Sequence, residues 1–441
     1  MDGTNKRMND DMAAYWMPFT PNKDFKANPR MLESADGLYY RTTDGREVID
    51  GSSGLWCCAL GHNHPKVVEA IREQAGTLDY STAFQFGHPK AFELANMLKD
   101  TMPGDLDHIF FTNSGSESVD TALKMALGYH RLRGEGQRTR FIGRLHGYHG
   151  VGFGGISVGG MVNNRKFFGA QLPGVDHLAF PYDESMKFSK GQPTDGADYA
   201  NSLEEIISLH DASTIAAVIV EPVAGSAGVF VPPIGYLERL REITEQHGIL
   251  LIFDEVITAF GRLGYASASE RFGIVPDIIT TAKAVNNGSV PMGAVAVRKG
   301  IYDTYMDEVK GGVELFHGYT YSAHPLAVAA AIATQKAYAE EGVYEHVRAT
   351  EDYFADMVHN LRDAETVTDV RNLGFMSALT FAQIDGKPAS RSGKIFLRAF
   401  ENGLKVRMSG DHIAIAPPLV SRKTDIDKIG EIMRKTINDV S

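Results

Sequence analysis

The sequence predicts an α/β protein with a mostly parallel sheet, because short apolar, β-branched runs alternate with amphipathic helical stretches. Six runs have the length and composition of buried strands: residues 108–112 (HIFFT), 139–143, 216–220 (AAVIV), 249–253 (ILLIF), 277–281 (DIITT) and 293–297 (GAVAV). Between them, residues 119–130 and 236–247 place apolar side chains at helical spacing.

The length and composition predict one large domain and a smaller one. The chain has 441 residues, 43% of them hydrophobic, which is enough for a large buried core. Residues 325–362 look helix-rich, and shorter elements follow them. We therefore place an N-terminal segment at residues 1–45, a large domain at 46–329 and a smaller α+β domain at 330–441. Turns at Asp36-Gly37 and Asp44-Gly45 predict hairpins, and we expect this N-terminal segment to join the C-terminal part.

The charge balance argues against two classes of partner. The formal net charge is -11, which disfavours nucleic acids and anionic membranes. The first residues contain no apolar signal core, and no apolar run is long enough to cross a bilayer. We expect a cytoplasmic protein that acts on small molecules.

A candidate phosphate site follows the run at 108–112. Ser114 and Glu117 have the spacing of a capping box, and Gly115 permits a tight turn, so a helix should begin here. The free amides and the dipole of a helix N-terminus attract phosphate. An ordinary capped helix is the alternative.

Two acidic residues stand at the ends of predicted strands. Asp254 follows residues 249–253, and Glu221 follows residues 216–220. In open parallel sheets ligands bind at this edge, where a carboxylate can hold a ring nitrogen protonated. Val256, two residues after Asp254, should point to the same side. The alternative is that Asp254 caps a local turn.

Lys283 comes directly after the run at 277–281 and before a turn rich in asparagine and glycine. Such a lysine is either exposed on a loop or enclosed in the ligand crevice. In the crevice, desolvation would lower its pKa and make its amine a nucleophile towards carbonyls.

A glycine-rich segment near Tyr148 allows several interpretations. Tyr148 stands between glycines and could stack on a flat ring, or simply pack in a loop. Gly150, Gly152 and Gly155 match a dinucleotide-binding signature. However, no strand leads directly into them and no amphipathic helix follows, so we interpret the glycines as a loop.

Paired histidines raise the question of a metal site. They occur as His62-x-His64 and His146-x-x-His149, and no third ligand of suitable type stands out for either pair. We predict no metal.

The chain resembles the class III, fold type I, pyridoxal-phosphate (PLP) aminotransferases over nearly its whole length. The long stretches FFTNSGSESVDTALK, GYHGVGFGGISVGG, STIAAVIVEPVAGS, HGILLIFDEVIT and ELFHGYTYS carry the resemblance. It is closest to the ω-amino acid:pyruvate (β-alanine:pyruvate) branch. The resemblance implies a seven-stranded, mostly parallel sheet, the cofactor PLP, and transfer of an amino group to pyruvate from an ω-amino acid or a primary amine.

The resemblance also implies roles in cofactor binding. Lys283 would hold PLP as a Schiff base and then move a proton at the substrate carbon. Asp254 would keep the pyridine nitrogen protonated, so that the ring withdraws electrons. The remaining cofactor contacts would come from Gly115, Ser116, Tyr148, His149, Glu221, Val256 and Thr320. The resemblance places Thr320 in the neighbouring subunit, which implies a homodimer with shared active sites and leaves a tetramer open.

On the substrate side the resemblance implies an aromatic wall and a carboxylate clamp. Trp56 would form the wall, and Arg407 would bind a carboxylate through its guanidinium fork. Ala414 and Phe19 would border the same pocket. Substrates would be amines, amino acids and keto acids.

The sequence departs from the family pattern at Ala259, Ala284 and Asn286-Asn287, and these changes affect loop shape rather than a catalytic group. Two other enzyme classes stay open at this point. A decarboxylase, racemase or aminomutase could share the cofactor, and a nicotinamide-dependent oxidoreductase could use the glycine-rich loop.

Overall fold

The computed structural model describes residues 12–440. Its strands are β1 (Leu32–Asp36), β2 (Tyr39–Thr42), β3 (Glu47–Asp50), β4 (His108–Thr112), β5 (Arg140–Arg144), β6 (Val175–Leu178), β7 (Ile215–Val220), β8 (Leu250–Asp254), β9 (Ile278–Thr281), β10 (Gly293–Val297), β11 (Val367–Leu373), β12 (Met376–Phe381), β13 (Leu404–Lys405), β14 (Arg407–Ser409) and β15 (His412–Ile415).

The α-helices are α1 (Asn22–Ala27), α2 (Ser53–Trp56), α3 (Pro65–Thr77), α4 (Pro89–Lys99), α5 (Gly115–Leu132), α6 (Phe153–Val158), α7 (Val162–Arg165), α8 (Ser202–His210), α9 (Gly225–Gly228), α10 (Tyr236–Gln246), α11 (Ala268–Phe272), α12 (Lys299–Glu308), α13 (Pro325–Glu340), α14 (Val343–His359), α15 (Ser390–Glu401) and α16 (Lys423–Val440). Among residues 12–440, no helix has both the length and the apolar character needed to cross a membrane.

The central sheet has seven strands in the order β4-β10-β9-β8-β7-β5-β6. The five strands from β9 to β6 run parallel to their neighbours. Strand β10 is antiparallel to both β9 and β4. The prediction of a mostly parallel seven-stranded sheet is therefore confirmed, with one reversed strand near the edge.

All six strands predicted from apolar runs are present, with ends that move by at most one residue. The sequence interpretation missed β6, an edge strand whose residues read VDHL. Its half-polar composition fits an edge position, where one side of the strand has no partner. Helices pack on both faces: Val119 and Ala122 of α5 lie in one apolar cluster, and Leu237 and Leu240 of α10 lie in another.

Two smaller sheets complete the fold. One is antiparallel, in the order β11-β12-β15-β14. The other joins the two ends of the chain, because the N-terminal hairpins β1-β2-β3 pair with β13 in parallel, with Ile49 opposite Leu404 and Asp50 opposite Lys405. The paired residues Ile49 and Asp50 lie just beyond the predicted N-terminal segment of residues 1–45, so the expected link between that segment and the C-terminal part stays a prediction. The boundaries at residues 45 and 329 stay predictions.

The close approach of α6 to β5 gives a test of the fold. A Cβ at Gly143 would lie 2.8 Å from the carbonyl carbon of Val158 and still closer to its oxygen. We expect Gly143→Ala to destabilise the protein by about 1–3 kcal/mol, the usual effect of overpacking, as a lower midpoint of urea unfolding. Gly136→Ala is the control, because no atom lies within 4 Å of a Cβ there. Equal midpoints for the two variants would contradict this packing.

Candidate active site

A cavity of about 120 Å³ opens at the carboxyl ends of the parallel strands. This is the sheet edge at which ligands collect in open α/β proteins. The residues that line it are Gly115, Ser116, Tyr148, His149, Gly150, Glu221, Asp254, Val256, Ile257, Ala282 and Lys283. The structure thus brings together eight of the nine residues predicted to bind the cofactor.

The N-terminus of α5 forms one end of the cavity. Ser114 caps the helix, since its side chain accepts a hydrogen bond from the amide of Glu117 at 3.2 Å. The Glu117 carboxylate accepts from the amide of Asn113 at 2.8 Å, one residue before the position that a capping box predicts. The first turn of α5 keeps its free amides at the cavity, as a phosphate-binding terminus requires.

Close backbone packing around this helix end depends on glycine. A Cβ on Gly150 would lie within 3 Å of Ser116, and a Cβ on Gly115 would lie 2.8 Å from Val256. Gly150 also has φ +92°, a left-handed value that favours glycine. Side chains at these two positions would fill the space that the helix terminus offers to an anion.

The glycine-rich segment after Tyr148 packs on α5 and does not have the geometry of a dinucleotide site. Cβ atoms at Gly152 and Gly154 would both collide with the carboxylate of Asp120. That carboxylate accepts a hydrogen bond from the amide of Gly155 at 2.9 Å. The glycines therefore permit the segment to lie directly against α5. The interpretation of these glycines as a loop is wrong for Gly154 and Gly155, which lie in the short helix α6 that packs on Asp120.

Asp254 is buried at the end of β8, with 6% of its surface exposed. One carboxylate oxygen lies 2.8 Å from Nδ1 of His149. The other accepts from the hydroxyl of Thr280 and from the amide of Val256, both at 3.2 Å. A buried carboxylate with donors on two sides stays in one orientation, so Asp254 is a fixed acceptor at the floor of the cavity.

Glu221 provides the second acid of the cavity. Its two oxygens accept from the amides of Tyr148 at 3.0 Å and of Gly225 at 3.2 Å. Burial raises its pKa, and the nearby charge of Asp254 acts in the same direction. Since both oxygens bind backbone amides, Glu221 mainly holds the Tyr148 loop in place.

Lys283 follows β9 and reaches the cavity from a left-handed backbone conformation, with φ +49°. A non-glycine residue in this region costs of the order of 1–3 kcal/mol and persists where the surroundings enforce it. Desolvation lowers the pKa of its ammonium group, and the positive charge of Arg407 also lowers it, against the opposing effects of Cys57, Asp254 and Glu221. A lysine with a lowered pKa supplies a neutral, nucleophilic amine more readily.

Three of the four substrate-side residues predicted from the resemblance, Trp56, Arg407 and Ala414, lie close to this cavity. Trp56 is 3% exposed and belongs to the same apolar cluster as Ala414 and the cavity residue Ile257. Arg407 is half-buried in β14 and pairs with Ala414 of β15. Burial lowers the pKa of Arg407, and the nearby Tyr148 opposes this shift. Arg407 is thus close enough to the cavity for its charge to act on both Tyr148 and Lys283.

Thr320 and Phe19 are not among the residues that line the cavity. Thr320 is exposed, and its carbonyl oxygen accepts a hydrogen bond from the hydroxyl of Tyr80 at 3.0 Å. Phe19 is 71% exposed. An exposed Thr320 agrees with a role in a neighbouring subunit, which stays a prediction.

The sequence interpretation did not identify Gly150, Ile257, Ala282 or Thr280 as part of the site. Gly150 and Ile257 are within two residues of predicted site residues, and Ala282 and Thr280 precede Lys283. Their nearness in the sequence to Tyr148, Asp254 and Lys283 was therefore the signal that could have identified them. In residues 12–440 no group of three histidine, cysteine or carboxylate side chains is placed to hold a metal ion.

The donor set fits PLP. A phosphate would meet the α5 terminus, where a Cβ at Gly115 or Gly150 would fill the space. A pyridine ring would lie between Tyr148 and Val256, with its nitrogen at Asp254 and its aldehyde at Lys283. These residues line one cavity and supply an anion site, flat apolar faces, an acid and an amine.

Comparisons with known proteins give the same family. The class III aminotransferase family model matches residues 22–437. An ω-aminotransferase from Caulobacter vibrioides is 55% identical over 98% of both chains, and a β-alanine–pyruvate aminotransferase from Pseudomonas aeruginosa is 46% identical over 98% of this chain and 97% of its own.

Solved structures agree. An (S)-enantioselective ω-transaminase from Thermomicrobium roseum has a TM-score of 0.92 at 33% identity, over 99% of this chain and 98% of its own. An ω-transaminase from Pseudomonas jessenii in complex with PMP, the amino form of PLP, has a TM-score of 0.93 at 30% identity, over 98% of both chains. The chain belongs to the class III aminotransferases, which are PLP-dependent enzymes.

Proposed function

We propose that this enzyme moves an amino group from an ω-amino acid of the β-alanine type, or from a primary amine, to pyruvate. The products would be alanine and an aldehyde, a semialdehyde or a ketone, formed by a ping-pong mechanism. One observation carries the proposal: Lys283, Asp254 and the α5 terminus line one cavity, and the charge of Arg407 acts on Lys283. The relatives named for transfer to pyruvate support the same acceptor.

Bound PLP supplies an aldehyde and an electron-withdrawing ring, and the residues of this chain do the rest. Nζ of Lys283 would hold the cofactor covalently at rest. As a free amine, Nζ would take the proton from the substrate carbon that bears the amino group. The lowered pKa of Lys283 favours the neutral amine that this step needs.

Asp254 is the second catalytic residue, and His149 holds it in place. The Asp254 carboxylate would keep the ring nitrogen protonated, which stabilises negative charge on the substrate carbon. His149 donates from Nδ1 to Asp254 and holds it in place at 2.8 Å. Because His149 is 1% exposed, water does not compete for this hydrogen bond.

Substrate selection falls to Trp56 and Arg407. The guanidinium of Arg407 would bind the carboxylate of pyruvate or alanine in a bidentate manner. Trp56, which shares an apolar cluster with Ala414, would form the wall of the pocket against a donor that has no carboxylate. Phe19 would border the pocket in the assembled enzyme.

We propose a homodimer with shared active sites, in which Thr320 of one subunit contributes to the site of the other. Its segment is anchored on α5, since the hydroxyl of Tyr319 donates to the carbonyl of Glu117 at 3.3 Å. The same segment exposes Phe316 (92%) and Tyr321 (58%), and this exposed apolar surface supports the proposal of an interface here. Thr320 would contact the phosphate of the neighbouring subunit. A cytoplasmic location and the pairing of dimers into tetramers stay predictions.

Replacement of Lys283 tests the cofactor assignment. After borohydride reduction, we expect mass spectrometry to find phosphopyridoxyl on the Lys283 peptide of the wild type and no covalent cofactor in Lys283→Ala. Wild-type visible absorbance should bleach with a donor amine and return with pyruvate. Lys299→Ala is the control, because that exposed lysine pairs with Asp303 on α12. Covalent cofactor in Lys283→Ala would rule out the assignment.

Replacement of Arg407 tests the carboxylate clamp. We expect Arg407→Leu to raise the KM for pyruvate by about 10-fold to 100-fold, the loss of a charged hydrogen-bond pair of about 1.5–3 kcal/mol. The rate of the half-reaction with a primary amine that has no carboxylate should change little. Arg41→Leu is the control, since the Arg41–Glu47 ion pair is solvent-exposed at 3.7 Å. An unchanged KM for pyruvate in Arg407→Leu would exclude the clamp.

Replacement of Thr320 tests the shared site. We expect sedimentation to give a dimer or larger assembly for both the wild type and Thr320→Ala. The variant should bind PLP about tenfold more weakly, since one hydrogen bond to a charged phosphate is lost. A Thr320→Ser variant should restore the affinity. A monomeric wild type with full cofactor binding would contradict the proposal.

A further inference from the structure

A buried ionic cluster lies behind the substrate side of the cavity. Its centre is Asp50, which is fully buried at the end of β3. One carboxylate oxygen lies 2.9 Å from Nε2 of His62, and the other lies 3.5 Å from Nζ of Lys405. Burial raises the pKa of Asp50, but Lys405 and His62 outweigh it and bring the pKa down to about 2. The Asp50 carboxylate therefore stays ionised at neutral pH.

The cluster holds the loop that presents Trp56. Nζ of Lys405 donates to the hydroxyl of Ser52 at 2.7 Å and also to the carbonyl of Gly54. The Asp50 carboxylate accepts from the amides of Ser52, at 3.1 Å, and of Gly54. Lys405 and Asp50 thus both form hydrogen bonds with residues 52–54.

This stretch needs external support because its backbone is strained. Ser53 has φ +46° and Trp56 has φ +66°, values that non-glycine residues adopt where the surroundings enforce them. Arg262 supports the other flank, since it donates to the hydroxyl of Ser53 at 3.0 Å and its Cζ lies 6.0 Å from the Trp56 ring centre. The position of Trp56 depends on these two cations, of which Arg262 is buried and Lys405 is partly exposed.

The same lysine belongs to the segment that carries Arg407. Lys405 ends β13, and Arg407 begins β14 two residues later. Val406 between them is 3% exposed, so the segment is anchored by its own side chain as well. Lys405 therefore faces the Trp56 loop, while the next strand of the same segment places Arg407 near the cavity.

We propose that Lys405 is a positioning residue for substrate recognition, which fixes the separation between the aromatic wall of Trp56 and the guanidinium of Arg407. This inference rests on the proposed function for its effect on substrates. Lys405 is not among the residues that line the cavity. It acts by binding the Trp56 loop to the segment that presents the carboxylate clamp.

The chain offers a direct optical test, because Trp56 and Trp16 are its two tryptophans. Trp16 is 87% exposed, so Trp16→Phe leaves Trp56 as the sole reporter in the holoenzyme. In this background we expect Lys405→Met to shift Trp56 emission to longer wavelength and to increase its quenching by acrylamide. The KM for pyruvate and the KM for a primary amine without a carboxylate should both rise, by about 10-fold to 100-fold if Trp56 is displaced by about 1 Å. Cofactor occupancy and the visible spectrum should stay as in the parent.

Matched variants separate positioning from general destabilisation. Lys428→Met is the control, since that exposed lysine bonds the hydroxyl of Tyr39 on the same sheet, and it should change neither fluorescence nor KM. Lys405→Arg should restore part of both readouts. If Lys405→Met does not fold, Ser52→Ala removes one acceptor of the lysine and should give a smaller shift in the same direction.

The outcomes distinguish this inference from the proposed function. Unchanged Trp56 emission and unchanged KM values in a folded Lys405→Met enzyme would overturn the positioning role. A wild type that fails to aminate pyruvate would overturn the proposed function. In that case the fluorescence of the Trp56 reporter still decides whether Lys405 fixes the loop.

Discussion

The buried carboxylate of Asp254 sets the arrangement of the site. It lies at the end of β8 in the middle of the sheet, and a charge in such a position needs hydrogen-bond donors on every side. The donors come from three places: His149 in the loop after β5, Thr280 on β9, and the amide of Val256 in its own turn. Once His149 is placed by this contact, Tyr148 beside it faces the cavity. The need to satisfy one carboxylate thus brings three strand ends together.

Burial and nearby charges, rather than a direct ion pair at each group, shift the pKa values of Lys283 and Glu221. Lys283 is desolvated, which lowers its pKa, and Asp254 and Glu221 act against this shift. Glu221 is itself desolvated, so its pKa is raised, and backbone amides satisfy its oxygens. An amine with a lowered pKa beside an acid held in place is the combination that proton transfer at carbon requires.

The sequence predicts the central sheet and its strand-end residues well, because both depend on local patterns. Wholly apolar runs identify the buried strands, and Asp254, Glu221 and Lys283 are found by counting on from them. The missed strand β6 has a half-polar pattern that a loop would share. The cap of α5 was correctly predicted at Ser114. A capping box predicts that the Glu117 carboxylate accepts from the amide of Ser114, but in the structure it accepts from the amide of Asn113.

The substrate side could not be derived from local patterns, since its contacts join distant parts of the chain. Asp50 and Lys405 pair across β3 and β13, more than 350 positions apart in the chain. Nothing in either neighbourhood marks this contact, and both residues resemble ordinary surface charges in the sequence. If the proposed roles are correct, cofactor chemistry is encoded in short motifs at strand ends, whereas substrate choice depends on how the two ends of the chain meet. Substitutions that alter specificity can then lie outside the cavity, wherever the Trp56 loop is joined to the Arg407 segment.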